Sequence, residues 1–181
     1  MEAATEFKVD KTDWGPGEWQ NEPDREDFIA HGFACFVKRR EQHGHWCGYV
    51  GVPREHPLYG KEYSNMRTLQ VHGGVDYTGR CSPPICHVAP EGMPEDVWWI
   101  GFDSGHTWDH SPGRAARLKE AAAGCRERGM EDTAALFEQT LQPLRPEVYR
   151  NLYYVRHECE QLAAQLAGAG TVRPKRKKAR A

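Results

Sequence analysis

The sequence lacks any run of about 18 apolar residues, so no membrane-spanning helix is expected. Its opening residues, Met1 to Lys8, do not follow the basic-then-apolar pattern of a secretory leader, and the reading is a cytoplasmic protein. There is no phosphate-cradling loop ending in Gly-Lys-Ser/Thr and no Gly-x-Gly-x-x-Gly dinucleotide fingerprint. The nucleophile elbow of the serine hydrolases is also missing, because Ser104 in Phe102-Asp103-Ser104-Gly105-His106 has no glycine two residues before it. His106 and His110 are four residues apart, yet no glutamate follows His106 and Pro112 leaves little room for the helix that a zincin needs. The six cysteines (Cys35, Cys47, Cys81, Cys86, Cys125, Cys159) form no dense framework and are expected as free thiols. Cys81-x4-Cys86-His87, with Cys35 and Cys47 as remote partners, is a candidate half of a zinc site, although its spacing matches no recognised knuckle.

What is present suits one soluble domain with tails. The chain has 181 residues, of which 39% are hydrophobic and 28% charged. The net charge of −2 hides an asymmetry. Arg173, Lys175, Arg176, Lys177, Lys178 and Arg180 crowd the C-terminus, and without these six the count is 18 basic against 26 acidic residues, or −8. Such a body does not attract nucleic acid by bulk charge. The segment 173–180 is the candidate contact for nucleic acid or another polyanion, within a basic disordered tail over 169–181. Residues 1–24 are charged and hold Gly15, Pro16, Gly17 and Pro23, which predicts a flexible N-terminal arm that Trp14 and Trp19 can pin.

The remaining 25–168 read as a single α+β domain: a small antiparallel sheet of four or five strands, covered on one face by C-terminal helices. Acidic residues at Asp24-Arg25-Glu26-Asp27-Phe28 suit a helix start or turn. Strands are expected over 33–38 and 45–52, joined as a hairpin around Gly44, and again from Met66 to Val71. The densely apolar 97–102 predicts a central strand buried on both faces, with Trp98 and Trp99 pointing opposite ways. The prolines of 81–95 exclude a regular element there. Helices are predicted over 114–128, stopped at Gly129, over 131–141, and over 146–166, where Val148, Leu152, Val155, Cys159, Leu162 and Leu166 recur at three- and four-residue steps.

The polar residues that carry chemistry cluster between Val71 and Pro112. Asp103-x2-His106-x2-Asp109-His110 places two carboxylates and two imidazoles in eight residues, and His72 precedes Gly73-Gly74. Imidazole and carboxylate ligate Zn²⁺, Mn²⁺ and Fe²⁺, and the same pair serves as general acid and base. His72, Asp103, His106 and Asp109 are therefore the candidate catalytic residues. Gly73, Gly74, Tyr77 and Trp108 are the candidate ligand contacts, Trp108 as a stacking surface. Asp103, His106, Asp109 and His110 are the candidate ligands for a divalent metal. His72 and Asp103 are expected on neighbouring strands or strand ends. The competing reading is that these groups cap loops by bonding to the backbone.

Three stretches also carry a resemblance. His72-Gly-Gly-Val-Asp-Tyr-Thr-Gly79 resembles an HGGxxYxG pattern, Trp98 to Asp109 a WWxGFDxxHxxD pattern, and Tyr154 to Leu166 a helix with a YVxxECxxLAxQL pattern. Together, across roughly 30–167, they resemble a family of small uncharacterised proteins of bacteriophages and prophages. The resemblance implies a phage-type accessory protein in a host cytoplasm and names no activity. The function expected is recognition, with hydrolysis as an option, of a small polar or nucleotide-like ligand. The rival is a non-catalytic interaction protein using its helical face and basic tail.

Overall fold

A computed structural model of the chain describes residues 7–82, 85–87 and 89–170. Five antiparallel strands form one sheet: β1 (Arg25–Ala30), β2 (Phe33–Arg39), β3 (Trp46–Pro53), β4 (Tyr77–Arg80) and β5 (Val97–Asp103), in the order β1-β2-β3-β5-β4. Three helices follow: α1 (Pro112–Glu127), α2 (Glu131–Thr140) and α3 (Leu152–Gly170). The α+β reading holds.

Strand alternation sorts the core into two layers. Cys35, Val37, Val50, Val52, Ile100 and Phe102 face α3, meeting Val155, Cys159, Leu162, Ala163 and Leu166. Ala34, Phe36, Cys47, Tyr49, Val97 and Trp99 point the other way, beneath Tyr77, Ile85 and Met93. Loop segments cover that second face, so β3 and β5 are apolar on both sides. β5 is an inner strand between β3 and the edge strand β4, while β3 holds the middle. Trp98 and Trp99 do diverge: Trp99 is fully buried in the second layer, and Trp98 packs towards the first, its Nε1 donating to the Lys61 carbonyl. α1 and α2 pack on each other, and the start of α1 is tied to the β2–β3 turn by the Gly113 and Arg114 amides, which donate to the His43 carbonyl.

Several local expectations are corrected. Residues 25–30 are a strand, because Glu26, Phe28 and Ala30 alternate with exposed Asp27 and Ile29 and pair with β2. The Asp24 carboxylate caps no helix. It accepts from the Val9 amide and from Arg39 Nε and pairs with Lys11. Residues 66–71 form no strand, since α3 side chains take their backbone groups. Gln165 bonds both the amide and the carbonyl of Gln70, and Glu158 accepts from the His72 amide at 2.7 Å. His72 therefore lies in a turn and not at a strand end. The third helix begins at Leu152, six residues after Pro146, with the Asn151 side chain accepting from the Tyr154 amide as its cap. The residues before it are spent on pairing with 108–110: Val148 donates to the Trp108 carbonyl, and the Val148 carbonyl accepts from the His110 amide.

Cys81 and Cys86 are not free thiols but a disulfide, with Cα atoms 4.7 Å apart. Reciprocal backbone bonds between Ser82 and Ile85 close this loop and bring the two cysteines together, which also removes them from any zinc site. The other four cysteines are free and buried.

Residues 7–24 follow a defined path along the body. Lys11 donates to the carbonyls of Trp19 and Glu22, and the Glu22 carboxylate accepts from Arg39, Tyr149 and the Leu152 amide. The basic residues 173–180 lie outside the described residues. Among the described residues, no helix is long and apolar enough to cross a membrane.

Candidate functional site

Two loops and one helix build the site. The turn 71–74 closes by a bond from the Gly74 amide to the Val71 carbonyl, with Gly73 at φ +67° and Gly74 at φ +91°. Both angles are left-handed and favour glycine. Gly73 has a second reason to be glycine: a Cβ there would overlap the His106 ring. The loop after β5 then brings in His106 and Asp109.

Asp109 is the hub. Its Oδ2 lies 2.7 Å from His72 Nε2 and 3.2 Å from the His106 amide, and its Oδ1 accepts from Arg150 Nε at 2.9 Å. Burial pushes the Asp109 carboxyl up, but the bonds from Arg150 and His72 outweigh it and hold the carboxyl below its usual value. An ionised Asp109 only accepts, so His72 Nε2 carries a proton towards it. His72 Nδ1 lies 3.0 Å from the Tyr154 hydroxyl, which donates to it in this state. Tyr154 is one turn of α3 away from Glu158, the acceptor for the His72 amide.

The His106 ring completes the group. It packs edge-on to His72 with centroids 5.3 Å apart, and its Nδ1 lies 3.4 Å from Asp109 Oδ2. One ligand atom each from His72, His106 and Asp109 can be chosen so that all lie within 4.8 Å of one another. Access is graded: the side chain of Asp109 is 1% exposed, that of His72 13% and that of His106 41%. Two imidazoles and a carboxylate with one open side are a donor set for zinc, iron or manganese that leaves room for a ligand.

The other sequence candidates are placed around this group or away from it. Asp103 borders it, with Oδ1 3.8 Å from His106 Nδ1. It points towards the second sheet face, where Oδ2 is 4.0 Å from His45 Nε2 and Oδ1 caps the Gly105 amide. Asp76 accepts from the Asp103 amide, and desolvation together with the Asp103 charge pushes the Asp76 carboxyl up to about 6. His110 turns away to Glu147 and Trp19. Tyr77 packs on Tyr49 in the second layer. Trp108 is 46% exposed, with the Arg145 guanidinium over its ring.

Sequence reasoning did not place Arg150, Tyr154 or Glu158 here. The signal was available in part. Tyr154, Glu158 and Gln165 recur at helical spacing beside the apolar stripe of α3, and all three bond the 70–72 segment. Comparison with family models, with curated proteins and with solved structures gives no match, so the geometry alone carries the functional reading.

Proposed function

We propose that the protein binds a divalent transition metal through His72, His106 and Asp109 and uses that centre to recognise, and in the presence of bound water to hydrolyse, a small polar ligand. The observation that carries this reading is the convergence of three ligand atoms within 4.8 Å around a buried carboxylate that is already ionised and oriented. The surrounding residues suit the task. Arg150 fixes Asp109 through the oxygen that His72 does not use. Tyr154 suits His72 in either tautomer, since a hydroxyl can donate to a bare Nδ1, or accept from Nδ1–H when a cation occupies Nε2 and the Nε2 proton has gone to solvent. A bound metal supplies Lewis acidity and a lowered water pKa.

The ligand reaches the centre from the His106 side. A groove of about 460 Å³ begins at His106 and runs past Trp108 and Arg114 to Leu144. Its exposed indole and guanidinium suit a ligand with a planar ring and a negative group, hence a nucleotide-like molecule. The motif resemblance supports a phage-type accessory context for this activity. The rival interaction reading draws support from one observation, the exposure of Leu136, Leu144 and Tyr153 on the helical side.

Metal analysis tests the proposal. Protein dialysed against Zn²⁺ or Mn²⁺ and then desalted is expected to retain one equivalent and to melt higher than the chelator-treated protein. Tyr154→Phe is expected to weaken retention 10- to 100-fold, in the range seen when a ligand's supporting bond is removed. Parent protein that retains no metal, and shows no thermal response to any of Zn²⁺, Mn²⁺ or Fe²⁺, excludes the metal centre.

A further inference from the structure

A second concavity lies away from the His72 corner, at the end of the β2–β3 hairpin. It has a volume of about 220 Å³ and is lined by Lys38, Arg40, Glu41, His43, Tyr49 and Ile85 among others. A dry cavity of about 150 Å³ accommodates benzene, so this one is large enough for a small organic molecule. From this pocket we infer a binding site for a small organic anion: a carboxylate or monophosphate joined to a compact ring.

The charge around the pocket is opposite to that of the body. Arg40 makes no ion pair among the described residues, and Lys38 rests its ammonium over the Phe7 ring, 3.9 Å from the centroid, instead of on a carboxylate. Desolvation pulls the Lys38 ammonium below its ordinary pKa, and the Glu41 charge only partly counters it. The His43 pKa is lowered first by its own desolvation and then by the nearby Arg117, Arg40 and Arg114, with Asp103 acting against them. Four guanidinium and ammonium groups therefore surround this end of the hairpin, in a chain that carries −8 outside its C-terminal cations. The start of α1 sits beside His43 and adds the positive end of a 16-residue helix to the same region. Glu41 is the one carboxylate among the lining residues, too few to neutralise the group.

The pocket also has an apolar side. Tyr49 is buried, stacked on Phe36 at 4.7 Å and edge-on to Tyr77, so its ring is held still. Ile85 approaches from the disulfide loop. An exposed edge of Tyr49 and the side chain of Ile85, beside Lys38 and an Arg40 that has no ion pair among the described residues, can hold a flat anion by its ring and its charge together. Bare inorganic phosphate uses only the charges, and a neutral ring only the apolar side. The organic anion uses both.

The experiment is a titration of the full-length protein with benzoate, phenyl phosphate, inorganic phosphate and benzamide at constant ionic strength, followed by calorimetry and by NMR of the His43 and Tyr49 ring signals. One or both organic anions are expected to saturate at one equivalent and to shift those rings, at least tenfold tighter than inorganic phosphate or benzamide. Lys38→Gln/Arg40→Gln, two changes that remove charge and keep a polar side chain, is expected to abolish the saturation while leaving the fold intact. Lys38→Arg/Arg40→Lys keeps the charges and is expected to retain binding. Absence of saturation by both organic anions overturns the inference. So does saturation that survives in the double glutamine variant, which assigns binding elsewhere, and so does equal affinity for inorganic phosphate, which reduces the site to bulk charge.

Discussion

Two buried ionic clusters sit within this small chain, and they are built in opposite ways. One is centred on a cation. The Arg39 side chain is fully buried, pairs with Glu22 and Asp24, donates to the Gly44 carbonyl and the Tyr149 hydroxyl, and lies 4.3 Å over the Trp46 ring. Its carboxylates have further partners in Lys11, the Val9 amide and the Leu152 amide. Every polar group is answered by another, and the cluster ties the N-terminal segment to β2 and to the start of α3. The second cluster is centred on a carboxylate, Asp109, and it stops short of closure. The His106 ring, 41% exposed, offers nitrogen atoms to solvent beside a buried acid. A closed network spends its charge on holding the fold, whereas an open one keeps part of it for a ligand.

Removing the centre of each cluster sharpens the contrast. Arg39→Met leaves Glu22 and Asp24 without their main counter-ion, at a cost of about 3–5 kcal/mol. In a domain this size that is a melting temperature lower by roughly 10 °C or more. Metal retention at the proposed His–Asp centre is expected to be unchanged once the variant is folded. Calorimetry and metal analysis on the same sample check both halves. A loss under about 1 kcal/mol contradicts the view of Arg39 as a structural hub.

How far the sequence revealed each cluster follows from chain distance. His106 and Asp109 were legible because they stand three positions apart in one loop, and His72 because its two glycines announced an unusual backbone. The double layering of β5 was legible too, since an unbroken apolar run means burial on both faces. The Arg39 cluster was not, because its members are spread from Val9 to Leu152 and its charged ones each read alone as a surface charge. The acidic start of β1 suggested a helix for the same reason: local charge was visible, and the pairing with β2 that decides the matter was not. Likewise Pro146 suits a helix start in sequence, and the pairing of Val148 with 108–110 that delays the helix is not visible locally.

The intermediate effect concerns pH and lies between the clusters. His45 is 8% exposed, and its Nδ1 is buried with no hydrogen-bond partner among the described residues. Burial depresses its pKa to about 4, only partly countered by Asp103. Above pH 6.5 the imidazole is neutral both in the folded and in the unfolded chain. As the pH falls from 6.5 towards 4 the unfolded chain gains a proton that the folded protein refuses, so stability is lost across that window. The ceiling on this contribution is about 3 kcal/mol. His45→Gln is expected to flatten the dependence of the urea midpoint on pH between 6.5 and 4. Curves that run parallel for parent and variant show that His45 takes up its proton in the fold.

The smallest stability effects belong to the open cluster, and they discriminate most between a site and a loop cap. His106 contributes its backbone amide to Asp109, and that bond survives truncation of the ring. His106→Ala is therefore expected to move the melting temperature by no more than one or two degrees. It removes one of the three proposed metal ligands, so the stabilisation by Zn²⁺ or Mn²⁺, about 2.7 kcal/mol at a hundredfold excess over the dissociation constant, is expected to vanish. Asp103→Asn is the matched control. The amide keeps an oxygen for the Gly105 amide and withdraws the charge that helps to raise the Asp76 carboxyl. With that charge gone the Asp76 pKa falls, so above pH 6 the variant is expected to be at least as stable as the parent, and its metal response persists because His72, His106 and Asp109 are intact. If the His–Asp group only caps loops, the pattern reverses: His106→Ala leaves polar partners unsatisfied, melts several degrees lower, and neither the parent nor the variant answers to metal.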